Sequence, residues 1–240
     1  MPAPLTSGNT AKLYCLRLID DAAAQVDGDF RIVDLGCGDG RNFVELLRRR
    51  DNVRYVGVEP LPGAAEAARG LLPSAEIVVA PAAHVRLDPA DAVVSFSVLE
   101  HVVDRPRYLA AVAAHLVAGG RAYLNYDTGH FVADASAGER VRALAGRMLA
   151  AVGNDSHYRA AVTSAEVEQL VADAGLRITD DKAFNTDVKR LYPRLPEDRR
   201  DAFMERWLEF ELELSRLGTT WSDELASVFR TRNLVLQCAS

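Results

Sequence analysis

The stretch "VDLGCGDGRN" (Val33–Asn42) decides the reading, because an apolar run ends there in Gly36, Gly38 and Gly40, spaced two apart. A loop that turns from a strand into a helix presents backbone N–H groups and the positive end of the helix, while glycines let a bulky ligand approach the main chain. Such a loop serves a nucleotide-like cofactor. The dinucleotide fingerprint GxGxxG would place its third glycine one position later than Gly40. Asp34, two residues ahead of Gly36, also suits a cationic ligand better than a pyrophosphate. Roughly twenty residues beyond the loop, where a ribose-binding acid belongs, Glu59 ends the next strand-like run and can accept both hydroxyls of a ribose.

Working outward, "FRIVDLG", "VRYVGVEP", "AEIVVA", "DAVVSFS" and "RAYLNYD" alternate with helical or loop regions. That rhythm predicts βαβ units, an α/β doubly wound fold and a mainly parallel sheet. Asn9 to Gln25 carries Leu13, Leu16 and Ile19 near helical spacing and predicts an N-terminal helix. Beyond Tyr126, "GERVRALAGRMLAAV" and "TSAEVEQLVADAG" read as helices, the second with Thr163 and Glu166 as a capping box and Gly175 as its stop. The strand "LRITDDKAF" follows. Between it and the closing "FRTRNLVLQC", a helical insertion spans residues 185–221, with Phe203, Trp207, Phe210, Leu214 and Leu217 three or four apart, Pro196 at its first turn and Gly218 at its end.

A chain of 240 residues can bury a full core and is expected to form a single domain. Its regions are an N-terminal helix or lid (1–28), a cofactor-binding core (29–127) and the remainder of the sheet with the insertion (128–240). With 34 acidic against 28 basic side chains, nothing draws it to nucleic acid or an anionic membrane. Arg48 to Arg50 falls where a helix should end and complements its dipole. Cys15, Cys37 and Cys238 are scattered, with neither a disulfide framework nor metal-ligand spacing, so no metal is expected. The start, "MPAPLTSGNT", lacks a leader pattern and no run is long enough to span a bilayer, so a cytoplasmic location is expected.

"VDLGCGDG", "VGVEP", "DAVVSFSVLEHV" and "LVAGGRAYLNY" together resemble the successive motifs of class I S-adenosylmethionine-dependent methyltransferases, most like the small-molecule (type 11-like) branch. The resemblance runs by motif from Asp29 to Asp127. It implies a Rossmann-like, seven-stranded sheet whose last strand, "RNLVLQC", is antiparallel. It implies S-adenosyl-L-methionine as cofactor, with Gly36, Cys37 and Gly38 beneath its methionine part, and Gly40 and Asn42 completing the loop. Asp34 and Asp39 would face its amino end or order the loop, Glu59 would hold the ribose, and Ser97 would line the methyl-bearing side. One departure is plain: Pro81 stands where the family commonly places an acid for the adenine amino group. Adenine must then rest on the Ala82 backbone, apolar contacts or His84.

Several residues admit two readings. His101 is a candidate base, or framework bonded to backbone. Asp127 and His130 contact the acceptor or are turn residues. Lys189, Arg190 and Arg194 grip an anionic group on the acceptor or form a solvated face. Arg190 and Tyr192 are assigned to an acceptor wall formed by the insertion. The apolar stripe of the insertion is otherwise a homodimer contact. Trp207 and Phe210 read as core before an aromatic box, and Tyr14 caps the cofactor or packs its helix. Cys37 reads as a small buried residue rather than a nucleophile. The expected activity is methyl transfer to an oxygen or nitrogen of a small-molecule acceptor. Its rivals are a non-catalytic cofactor-binding or assembly subunit and an NAD-dependent oxidoreductase.

Overall fold

Phe30–Leu35 forms β1, buried on both faces over most of its length, as a strand in the middle of a parallel sheet must be. The computed structural model describes residues 5–6, 9–127, 158–185, 191–217, 229 and 231–239. Before β1 lies α1 (Thr10–Ala24), whose N-cap Asn9 accepts a hydrogen bond from the Lys12 N–H at 3.0 Å. After it come α2 (Val44–Arg49), β2 (Val53–Val58), α3 (Pro62–Leu71), β3 (Glu76–Val78) and β4 (Ala90–Phe96). A 3-10 turn (Leu99–His101), α4 (Arg105–Ala114) and β5 (Leu116–Asp127) follow. The remaining elements are α5 (Ser164–Asp173), β6 (Leu176–Phe184), a 3-10 turn (Tyr192–Arg194), α6 (Glu197–Leu217) and β7 (Thr231–Cys238).

The seven strands form one sheet in the order β3-β2-β1-β4-β5-β7-β6. Pairings among the first five are parallel, and β7 runs antiparallel to both β5 and β6. Helices cover both faces. Ile32, Val94 and Phe96 share one core with Leu13, Leu16 and Ile19 of α1, Ala65 and Ala68 of α3, and Met204 and Leu208 of α6. Val33, Leu35 and Val93 share the other with Tyr108, Leu109 and Val112 of α4 and Val167 and Val171 of α5. The fold is therefore the doubly wound, mainly parallel sheet expected, with its antiparallel last strand. Between β1 and β4 the strand order reverses direction, and a crevice opens there at the carboxyl ends of the strands.

Four expectations need correcting. The helix after the glycine loop begins only at Val44 and has six residues, so residues 41–43 separate its start from Gly40. "AEIVVA" contributes just three residues, Glu76–Val78, to the sheet. Asp127 is the last residue of β5, so it is a strand residue and not a turn residue. In α6 the buried face is Met204, Leu208 and Glu211, while Phe210 and Leu217 are exposed. A buried glutamate on the packing face is what an apolar pattern cannot register. Phe203 and Trp207 flank that face, partly buried and stacked at 5.8 Å. The capping box is half realised: Thr163 Oγ1 accepts from the Glu166 N–H at 3.2 Å, but the Glu166 carboxylate turns to Arg105, at 2.5 Å. Gly175 ends α5 at φ +71°. His130, Lys189, Arg190, Gly218 and the expected helix "GERVRALAGRMLAAV" lie outside the described residues.

Candidate cofactor and acceptor site

The three glycines of the loop do three different things. Gly36 (φ +94°) lies against Val98, and a Cβ there would sit 2.4 Å from Val98 Cγ2. Gly40 (φ +76°) lies against α3, with Leu72 Cδ1 2.7 Å from where its Cβ would be. Gly38 (φ +59°) faces open space, with nothing within 4 Å. The outer two thus lock the loop to its neighbours and the middle one leaves room above it.

Asp34 lies under this loop at the end of β1, almost fully buried. Its Oδ2 accepts from the Tyr55 hydroxyl at 2.8 Å, and its Oδ1 has no hydrogen-bond partner. Burial pushes its pKa up to about 7, against the lowering effects of the Tyr55 hydroxyl and the Lys12 charge. Glu59 stands directly after β2, buried, with Oε2 accepting from Gly38 N–H and Oε1 from Leu61 N–H, each at 3.0 Å. Each carboxylate oxygen still has a second lone pair. Asp39 is tied to Arg41 and so orders the loop. Cys37 is buried beneath Gly57, and burial near Asp34 and Glu59 pushes its thiol up to about 12, which makes it an inert filler.

Across the crevice, Ser97 follows β4 with φ +58°, a left-handed conformation rarely taken by residues other than glycine. Its N–H donates to Asn125 O at 2.8 Å and its Oγ to Asn125 Oδ1 at 3.1 Å. Asn125 Nδ2 donates to Asn233 Oδ1, and Asn233 Nδ2 to Ala11 O, both at 2.5 Å. A buried chain of amides therefore runs from the edge of the site to α1. The only signal of it in the sequence is a polar residue interrupting each of two apolar strands, "YLNYD" and "RNLVLQ", which the sheet sets opposite each other.

The acceptor side is framed by the 3-10 turn. His101 is exposed at its edge, with Nδ1 3.2 Å from Tyr158 O, and partial desolvation holds its imidazole below the ordinary pKa. That contact is the framework reading of His101. Its neighbour Glu100, passed over in the sequence, is far more buried. Glu100 Oε1 accepts from Asp127 N–H at 2.5 Å, Oε2 has no partner, and burial pushes its pKa up to about 6. Asp127 is thus held at the same edge. Tyr192 packs against the α1 face of the core under Arg200, and Arg194 is exposed in the same turn. Tyr14 packs on Phe184 and donates to Asp180 at 2.6 Å, so it ties α1 to β6 and does not cap the loop. Ala82 is buried and Pro81 exposed, its carbonyl accepting from His84 N–H at 3.0 Å.

Residues 9–180 match the family described as a methyltransferase domain, and the chain belongs to that family. That family makes the chain a methyltransferase, which speaks against the oxidoreductase alternative. No curated protein matches it. Among solved structures it is similar to the mitomycin 7-O-methyltransferase MmcR (19% identity, TM-score 0.52), over 95% of this chain but 55% of that one. It is similar also to the geranyl diphosphate C-methyltransferase from Streptomyces coelicolor A3(2) (15% identity, TM-score 0.61), over 94% of this chain and 79% of that one. A third is the mycolic acid cyclopropane synthase CmaA1 (14% identity, TM-score 0.58), over 92% and 83%. At these identities the likeness is one of fold. The residues in hand suit the cofactor at one end: open space over Gly38, an unsatisfied buried acceptor on Asp34 and a carboxylate at Glu59. At the adenine end Pro81 supplies neither an acid nor an N–H.

Proposed function

We propose that this chain transfers the sulfonium methyl of S-adenosylmethionine to an oxygen or nitrogen of a small-molecule acceptor. The observation that carries the reading is Gly38, whose N–H is latched to Glu59 while the space above it stays open. The latch holds a ribose acid and the glycine loop as one rigid surface, which is how a donor is fixed in a single orientation. In this reading Asp34 receives the ammonium, Gly36, Cys37 and Gly38 form the floor, and Asp39, Gly40 and Asn42 complete the loop. Glu59 takes the ribose hydroxyls and Ala82 borders the adenine. Ser97 lines the methyl-bearing side, and acceptor binding is assigned to Asp127, His130, Arg190 and Tyr192.

When bound, the cofactor supplies an activated methyl whose leaving group is neutral, so the chain's own residues chiefly align, bury and exclude water. His101, kept neutral by its surroundings at pH 7, can accept a proton from an attacking oxygen or nitrogen. Its contact with Tyr158 fits a positioning role better. The solved relatives whose names specify O- and C-methylation support a small-molecule acceptor in this fold without choosing the atom. Calorimetric titration tests the core of the reading. Glu59→Ala is expected to weaken S-adenosylmethionine binding at least tenfold, about the worth of one charge-assisted bond. Unchanged affinity in a folded variant would remove Glu59 from the site, and an acceptor screen scored by release of the demethylated cofactor then identifies the substrate.

A further inference from the structure

The chain of amides behind Ser97 has a single possible polarity. Ala11 O is a backbone carbonyl and only accepts, so Asn233 must turn its amide N–H toward it. Asn233 Oδ1 is then left for Asn125, which meets it with its own amide N–H. Asn125 Oδ1 in turn faces Ser97 and takes the hydroxyl proton at 3.1 Å. Ser97 Oγ keeps its lone pairs and has no second proton to offer. Toward a ligand it is an acceptor alone.

Three observations place that acceptor where a ligand meets it. Ser97 is exposed, whereas Asn125 and Asn233 behind it are buried. It directly precedes Val98, the side chain that crowds Gly36, so it stands beside the glycine loop. Its backbone has φ +58°, which glycine adopts freely and a residue with a Cβ adopts at a cost, so a side chain is held here against local preference.

Resting on the cofactor reading above, we propose that Ser97 Oγ accepts a hydrogen bond from the attacking atom of the acceptor, so that the site selects nucleophiles still carrying a proton: hydroxyls, and primary or secondary amines. Held by that proton, the attacking atom aims its lone pair along the line of displacement. The pair forms the bond to the methyl carbon, and the pair of the broken carbon–sulfur bond stays with sulfur. The attacking atom, then positively charged, releases its proton to water. Ser97, whose own proton is committed to Asn125, orients the nucleophile and does not take the proton from it. A tertiary amine or an alkene carbon has no such proton to present and leaves Ser97 unpaired.

Sinefungin is the probe, since it carries an ammonium group where the cofactor carries its sulfonium methyl and so sets an N–H donor at the point of transfer. Calorimetric titration compares it with S-adenosylhomocysteine, which lacks the methyl, on the wild-type chain, Ser97→Ala and Ser97→Gly. The wild type is expected to prefer sinefungin by about tenfold or more, the range of a charge-assisted bond. Both variants should lose most of that preference, and Ser97→Gly, suited to the left-handed backbone, keeps the comparison open if Ser97→Ala does not fold. A preference unchanged in the variants would confine Ser97 to closing the amide chain and would overturn the proposal. Equal wild-type affinity for the two ligands overturns it as well, as does methylation of a tertiary amine as fast as of its secondary counterpart. A wild type that binds neither ligand overturns the cofactor reading itself, an outcome distinct from the loss of preference.

Discussion

Gly36, Gly38 and Gly40 share one spacing and differ in what surrounds them. The spacing was legible in the sequence, because glycines in series after an apolar strand have few other uses. Their division of labour was not, since Val98 and Leu72, which crowd the outer two, are brought in by the fold. The same limit hid Glu100: a glutamate beside a histidine carries no mark of where it points. Two substitutions separate the roles. Alanine at Gly36 meets Val98 and takes a left-handed backbone, and is expected to lower the denaturation midpoint markedly, by well over the roughly 1–2 kcal/mol of the backbone strain alone. Alanine at Gly38 meets nothing, so its stability cost should stay near that strain while its Cβ enters the proposed cofactor space. Urea denaturation and calorimetric titration on both variants should give a stability defect for Gly36→Ala and a binding defect, tenfold or greater, for Gly38→Ala.

At the scale of elements, the N-terminal helix, the strands and the existence of an insertion helix were readable from periodicity. The seat of that helix was not. α6 docks on α1 through Glu211, whose carboxylate accepts from Thr10 Oγ1 and, at 2.7 Å, from Asn185 N–H, with Arg17 and Glu205 paired beside it. The face that packs is offset by one residue from the aromatic series Phe203, Trp207 and Phe210, because a carboxylate occupies a core position. Burial pushes the Glu211 pKa up to about 7 from an ordinary 4.5. The folded chain therefore keeps a proton that the unfolded chain has released between those values, and Glu211 costs stability as pH rises through that window. Glu211→Gln can keep the Asn185 N–H contact at its carbonyl oxygen and donate its amide N–H to the Thr10 hydroxyl, which can accept as well as donate, without the charge. It should match the wild type near pH 5 and exceed it at pH 8 by more than about 1 kcal/mol, measured by urea denaturation at the two pH values. A variant less stable than the wild type at pH 8 would show that the charge itself holds the helices together.

Over the whole molecule, Asp34, Glu100 and Glu211 are three buried carboxylates with raised pKa values, near 7, 6 and 7. Two of them border the proposed site. An arriving cation would lower the Asp34 pKa, so cofactor binding near pH 6.5 should release a fraction of a proton. Titrations in phosphate and in imidazole, whose ionisation heats differ, should then give different apparent enthalpies. Identical heats would place the cation elsewhere. The sheet that brings these groups together was foreseeable in class and strand count; the shared edge of Glu100 and Asp127 was not, because it depends on β4 and β5 being neighbours in register.

The place of β7 carries a consequence for how the chain comes to be folded. It is reached last in the sequence, yet it lies inside the sheet, between β5 and β6. Until it arrives, β6 has no partner and β5 presents an open edge, so two unfinished pieces must wait for one strand that fits between them. Such late, long-range pairing is slow. During synthesis the strands made earlier are exposed to mispairing until β7 leaves the ribosome. Loss of that segment would not trim a border but remove the seam. The seat of α6 on β6 and the Asn233 link from Asn125 to α1 would both go with it.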